Sequence, residues 1–307
     1  MAGTVFTSTV SHGLKRTLER IITDDSDGIE GGAIYKKWMD VKKMKDHYED
    51  DLEVGGPGLL AEKSEGAEIS LGSIQQGYIT RYLSRTYALK LVITEEAMED
   101  NKYKEIIQAA KRLKLSASQT IDVDTTNILK RAWNTNYPGG DGQPLFSASH
   151  TLPHGGTFSN TLSVPMSPSR AALIVMSTQA RKLPGHNGIT MGYRLRKIVC
   201  PVDQWAVWEE IVGSSYAPEA GEYNRINVVN RTMRLTKDDL VANHFWNNTT
   251  TNWCALTSAE GGLNIRFRRK LRTRTWVEND YESMKHAISA RWSRGWSDPR
   301  CAIGSEA

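Results

Sequence analysis

The sequence predicts an α+β protein organised around one long helix and several extended strands. Three observations predict it. Residues Thr94 to Asn136 include neither glycine nor proline. Just before them, Tyr87, Leu89, Leu91 and Ile93 alternate with Ala88, Lys90 and Val92, the period of a strand. Near the end, Leu263 to Val277 and Met284 to Trp296 read as two further strand regions.

Residues 1–50 are polar and mixed in charge. Leu14 to Ile22 can form a short helix and Tyr35 to Asp50 a second one rich in lysine, but neither carries a strong apolar face. The expectation is an arm that orders against neighbours. From Gly55 to Gly77 glycine recurs at 55, 56, 58, 66, 72 and 77. Glu68 to Leu71 and Tyr78 to Tyr82 are candidate strands there. Strands separated by such a bend form a long hairpin, which is barely stable alone and needs a partner surface.

Thr94 caps the long helix, and Glu95 and Glu96 fall where the helix dipole favours negative charge. Ile106, Ala110, Leu113, Ala117, Ile121, Ile128 and Ala132 recur at helical spacing, and Tyr137-Pro138-Gly139-Gly140 ends the run. About 40 helical residues would reach roughly 60 Å, longer than a compact domain of this size is wide. A spine of that length suits a flat subunit, and flat subunits tile.

A loop punctuated by glycine and proline follows, Tyr137 to Pro165. Ser167 then caps a second helix with Pro168 at its first position, Leu173, Met176, Ala180 and Leu183 on its buried face, and Pro184-Gly185 as its stop. Tyr193 to Cys200 reads as a strand that Pro201 breaks. Asp203 begins a third helix carrying Trp205, Trp208 and Ile211 and ending at Gly213. Residues 214–255 read as short strands and loops.

With 307 residues, the chain fits one large domain or two moderate ones. A mean hydropathy of -0.47 and the lack of a long apolar run exclude a transmembrane helix. Met1 to Arg20 lacks the apolar stretch of a signal peptide. Cys200, Cys254 and Cys301 are widely spaced, which implies free thiols in a reducing compartment and not a disulfide framework. Net charge is +4 but uneven: residues 1–150 hold 19 Lys/Arg against 22 Asp/Glu, and residues 151–307 hold 20 against 13. Such asymmetry fits a nucleic-acid footprint or two complementary faces of self-associating subunits.

Signals for chemistry are sparse. The chain has no phosphate loop, no GxGxxG, no GxSxG and no HExxH. Asp24, Asp25, Asp27 and Gly28 miss calcium-loop spacing, because Thr23 and Ile34 occupy its first and last ligand positions. His150 and His154 sit among Pro153, Gly155 and Gly156 without a third ligand, so no metal site is expected. The sharpest pattern is Arg266, Arg268, Lys270, Arg272 and Arg274, alternating with Ile265, Phe267, Arg269, Leu271 and Thr273. On a strand these five cations would share one face. They could meet phosphates, a neighbour's acidic face, or solvent. Their mutual repulsion favours a counter-charge supplied by assembly. Of the nine tryptophans, Trp276, Trp292 and Trp296 cluster late, where core packing explains them most simply.

This order of elements resembles the major capsid proteins of tailed bacteriophages with the Hong Kong 97-like fold. Locally, Tyr87 to Asp100 (YALKLVITEEAMED) resembles the hairpin's return strand entering the spine in Mu-like major head subunits. Asp141 to His150 (DGQPLFSASH) is similar to the segment after that spine, and Leu162-Ser163 through Ala171-Ala172-Leu173 to the next helix entrance. The resemblance runs from about residue 60 onward. It implies an arm over 1–50, an extended hairpin loop over 51–93, a peripheral domain of 94–137 with 283–307, and an axial domain over 138–282. It also implies pentamers and hexamers of one chain, an icosahedral head around double-stranded DNA, and scaffold, portal and decoration proteins as further partners. A virion location follows, with assembly in the host cytoplasm. No membrane partner, catalytic residue, metal or cofactor is implied. The rivals are an encapsulin-like shell packaging an enzyme, a DNA-binding protein using residues 266–274, and a hydrolase using His150 or His154.

Overall fold

The structure is a computed structural model that describes residues 16–18, 33–66, 68–72, 74, 76–100, 102–153, 155–216, 226–278 and 283–306. In chain order its elements are α1 (Tyr35–Trp38), β1 (Asp40–Lys43), β2 (Tyr48–Val54), β3 (Gln76–Leu83), β4 (Arg85–Thr94), α2 (Glu95–Glu99) and α3 (Tyr103–Lys130). The short pair β5 (His150–Thr151) and β6 (Thr157–Phe158) precedes α4 (Arg170–Lys182), β7 (Leu195–Pro201), α5 (Trp205–Gly213) and α6 (Val228–Arg231). The chain ends with β8 (Leu240–Asn243), β9 (Trp253–Thr257), β10 (Asn264–Glu278), β11 (Ser283–Gly295) and β12 (Ala302–Ser305).

Two four-stranded sheets frame the molecule, ordered β1-β10-β11-β4 and β12-β9-β7-β8. β10 and β11 form a long antiparallel pair, and β4 extends it from Thr94 opposite Ser283 to Arg85 opposite Trp292. The second sheet is covered on both faces, as the alternation of its buried residues requires. Val199, Val241, Cys254 and Leu256 join one core with the spine's Ile121, Ile128 and Leu129. Ile198, Cys200, Trp253 and Ala255 join the other with Leu173, Met176 and Ala180 of α4 and Trp208 and Ile211 of α5. Gly304 of β12 lies where a Cβ would come within 2.7 Å of Phe146, so only glycine lets this closing strand seat there.

The spine differs from its expectation in length. Thr94 caps as foreseen, its Oγ1 accepting from the Ala97 amide at 3.4 Å, but α2 stops at Glu99 and α3 starts afresh at Tyr103. Asp100 lies at the break; this residue type competes for backbone hydrogen bonds and disfavours helix interiors. At the far end the helix gives way to turns after Lys130, where Asn134 Oδ1 accepts from the Asn136 amide at 2.9 Å. The 28 residues of α3 span about 42 Å. The absence of glycine and proline allowed a longer helix without enforcing one.

Other expectations also shift. Tyr35 to Asp50 is a single helical turn followed by strand and not a helix, and Glu68 to Leu71 is not a strand. Ala33, Ile34, Tyr35, Trp38 and Met39 belong to the main core, and the Tyr35 amide donates to Asp122 Oδ1 of the spine at 2.9 Å. The polar flanks hid this anchor, so the stretch from residue 33 is part of the body of the fold and not a coreless arm. Of the proposed Leu14 to Ile22 helix, residues 16–18 are helical and Leu18 is buried against Ile93, Ile106, Ala110 and Met284; the rest lies outside the described residues, as do Asp24 to Gly28 and His154. The α4 cap is Ser169, whose Oγ accepts from the Ala172 amide at 3.1 Å, two residues after Ser167.

Candidate assembly site

The extended hairpin pairs β2 with β3 from Tyr48 opposite Leu83 to Val54 opposite Gln76. Its bend, residues 55–75, is the glycine-rich stretch. Along β2, Glu49, Asp51 and Glu53 fall at every second position and so project the same way. They meet two buried arginines. Arg266 of β10 donates to Asp51 Oδ2 at 2.5 Å and to Glu49 Oε2 at 3.3 Å, and its guanidinium lies 4.0 Å from the centre of the Tyr82 ring. Arg300, after β11, donates through Nη1 to Glu53 Oε1 at 3.0 Å and Asp298 Oδ1 at 2.9 Å, and through Nε to the Pro184 carbonyl at 2.7 Å. Arg300 and both its acids are largely buried, so that contact breaks at high cost if one partner is lost, whereas Glu49 and Asp51 beside Arg266 are partly open to solvent. On the other side of β2, Asp50 takes a two-pronged contact from exposed Arg81.

Glu53 lies in a cluster with His186, whose Nε2 is 3.1 Å from Glu53 Oε1, and with Asp298. Burial, reinforced by the Asp298 charge, pushes the Glu53 carboxyl up to about 7 against the pull of Arg300. Burial and Arg300 hold His186 below the ordinary imidazole value. The three side chains each offer one donor atom within 4.8 Å of the others. Arg300 already sits on both carboxylates, so an added cation would meet a fixed positive charge. The cluster therefore reads as an ion-pair anchor for the hairpin.

A carboxyl that titrates higher in the folded state than its ordinary 4.5 binds its proton more tightly when folded. Its stabilising contribution is complete below about 4.5 and is lost as pH rises through about 7, some 3 kcal/mol in all. Glu53→Gln keeps the shape and removes the titration. The melting temperature of the wild-type subunit is expected to fall more between pH 5 and pH 8 than that of the variant; parallel profiles would refute the assignment.

The five-cation strand splits into two environments. Arg266 has its counter-charges within its own chain, in Glu49 and Asp51, which corrects the expectation that assembly supplies them for all five. Arg268, Lys270, Arg272 and Arg274 are exposed and make no ion pair among the described residues. Nor do the five share one regular face. The pairing of β10 with β11 slips between Phe267 and Arg269 and again between Arg269 and Arg272, two bulges that re-aim the side chains between them.

The hairpin bend holds the most exposed large aliphatic side chains among the described residues. Leu60 is 100% exposed and Leu71 99%, with Leu59, Ile69 and Ile74 nearly as open, and Glu62, Glu65 and Glu68 are exposed beside them. His150 is fully buried, its Nδ1 2.5 Å from Asp141 Oδ2 and its Nε2 3.1 Å from Asn160 Oδ1, while Asn160 Nδ2 donates to the carbonyls of Leu145 and Pro299. That placement pins a loop and leaves the imidazole no access to a substrate. Trp292 is buried, whereas Trp276 is 42% exposed. The three cysteines are buried free thiols, and burial pushes Cys200 up to about 12. Nothing in the local sequence marks Glu53, Arg300 or His186 as partners; the alternating acids Glu49, Asp51 and Glu53 within Tyr48 to Val54 (YEDDLEV) are the one signal it offers.

Comparisons with known proteins agree with this architecture. A family model described as phage capsid protein matches residues 78–304. No curated protein matches the chain. The procapsid of bacteriophage JBD30 superposes with a TM-score of 0.55 at 12% identity, over 98% of this chain and 76% of that one. A virus-like particle from Pyrococcus furiosus gives 0.54 at 7% identity over 96% and 98%. The capsid of cyanophage P-SCSP1u gives 0.53 at 12% over 89% and 87%. Likeness at these identities shows a shared fold; the family match, which spans most of the chain, carries the finer distinction.

Proposed function

Because the chain belongs to the phage capsid protein family, we propose that it builds its icosahedral shell as the major capsid protein, in pentamers and hexamers enclosing double-stranded DNA. Its work is self-association and not catalysis. The shell is part of the virion, and its assembly belongs to the host cytoplasm. The spine, within residues 94–137, and the closing residues 283–307 form the rigid peripheral body, residues 138–282 form the axial part around the capsomer centre, and the β2-β3 hairpin reaches a neighbour. Scaffold, portal and decoration proteins are the partners such a shell meets.

The observation that carries this reading is the hairpin. Its base is held by two buried arginines, while its bend exposes five large apolar side chains that a solitary protein would cover. A rigidly held, unsatisfied projection is built to bind. Electron microscopy of the purified chain, with light scattering, tests the proposal. Closed shells or ring-shaped capsomers are expected. A monodisperse monomer or dimer would overturn it.

A further inference from the structure

An open pocket of about 140 Å³ is walled by residues of both four-stranded sheets and of α1. Four cations line it: Lys36 and Lys37 of α1, and Arg196 and Lys197 of β7. Asp40, which opens β1, is the one acid in the lining, so four positive charges against one leave a net of +3. The fold itself gathers these charges. Tyr35 and Trp38 fix α1 in the main core, and the Lys197 ammonium donates to the Lys37 carbonyl, which ties α1 to β7. Cations held together repel one another, more strongly beside a low-dielectric core than in open water. Lys37 and Arg196 are exposed and make no ion pair among the described residues.

A second, independent observation points to an acceptor. Trp38, also in the wall, is 4% exposed, and its indole N–H has no acceptor among the described residues. Buried donors are nearly always satisfied, so a group that accepts hydrogen bonds belongs near it.

We propose that this pocket binds a phosphate group. A free phosphate brings about two negative charges and a backbone phosphate about one, each with oxygens facing several directions. The lining answers with donors from separate elements: ammonium groups of α1 and β7, the Arg196 guanidinium and the Trp38 N–H. A carboxylate offers two coplanar oxygens, which suit a single fork and not donors arriving from several sides. A cavity of about 150 Å³ holds a benzene-sized guest, so there is room for one phosphate and little more. The group is either free in solution or part of a nucleic-acid backbone that passes outside and dips one phosphate in. Every contributing residue comes from one chain, so the proposal stands apart from the assembly reading. The site is also distinct from the cationic strand, since none of Arg268, Lys270, Arg272 and Arg274 lines it.

Occupation would tie α1, β1 and β7 together, and a ligand that binds only the folded state raises its melting temperature. Thermal melting of the purified full chain therefore tests the site, with inorganic phosphate titrated against sodium chloride at matched ionic strength. Phosphate is expected to raise Tm saturably in the wild type. Lys37→Gln with Arg196→Gln changes two exposed side chains and is expected to weaken half-saturation by about tenfold or more. Arg268→Gln with Arg272→Gln removes the same charge away from the pocket and is expected to leave half-saturation unchanged. A response absent from the wild type, or alike in the two paired variants, would overturn the proposal and leave the assembly reading untouched. Binding of a short DNA duplex to the same proteins over a range of salt distinguishes the two sources. A slope of log affinity against log salt lowered by about one in the pocket pair identifies a backbone phosphate; an unchanged slope identifies free phosphate.

Discussion

Arg300→Ala is expected to lower the unfolding free energy by about 3–5 kcal/mol, the cost of leaving buried charges uncompensated. The side chain is 2% exposed and is the common partner of Glu53, Asp298 and the Pro184 carbonyl, and it lies 4.6 Å from the centre of the Phe158 ring. Without it, Asp298 loses its buried counter-charge and Glu53 its hydrogen-bond donor, and the hairpin loses its outer anchor while Arg266 keeps the inner one. Denaturant unfolding of the subunit measures the total. Hydrogen exchange locates it, with β2 amides expected to accelerate more than those of β7. A loss below about 1 kcal/mol, the scale of an exposed ion pair, would refute the buried-anchor reading. Adding Glu53→Gln to the variant is expected to recover part of the loss at alkaline pH, where the Glu53 carboxyl would otherwise be forced to ionise in the interior.

The second large effect is expected from Trp292→Ala, again about 3–5 kcal/mol. Trp292 joins three elements. It stacks on Tyr87 of β4 at 4.0 Å with the rings 10° from parallel, and its Nε1 donates to Asp124 Oδ2 of the spine at 2.9 Å. Truncation opens a cavity and cuts a tie between spine and sheet. Trp292→Phe keeps most of the packing and loses the hydrogen bond, so about 1 kcal/mol is expected. Equal losses in the two variants would show that the bond and not the packing carries the effect. Trp276→Ala, at an exposed position of the same sheet, is expected to stay within about 0.5 kcal/mol of wild type.

Local patterns made much of the fold legible. Alternation in Tyr87 to Ile93 marked β4, and the runs from Leu263 and Met284 marked β10 and β11 to within a residue or two at their ends. Leu173, Met176, Ala180 and Leu183 identified the buried face of α4. Helix ends were harder, because a local contact such as the Asn134 side chain's bond to the Asn136 amide competes only weakly with helix propensity. The hairpin was foreseen but paired differently. Its first strand is Tyr48 to Val54, where every second residue is an acid that resembles solvent-facing sequence until a buried arginine lies opposite. Arg266 shows the converse. It looks identical to its four neighbours in the cation series, yet its side chain is buried in ion pairs and theirs are not.

By itself, the sequence determined what depends on near neighbours along the chain: the types of the strongly patterned elements, their apolar faces, the glycine-rich bend and the cationic run. These follow from side-chain period, caps and turn chemistry, which act over a few residues. Tertiary structure alone decided which charges are spent inside the subunit and which remain exposed. Glu53 and Arg300 are 247 positions apart, and Arg266 lies more than 200 positions from Glu49 and Asp51. Burial and partner distance set the worth of a charge, and both exist only once β2 lies against β10 and the chain end.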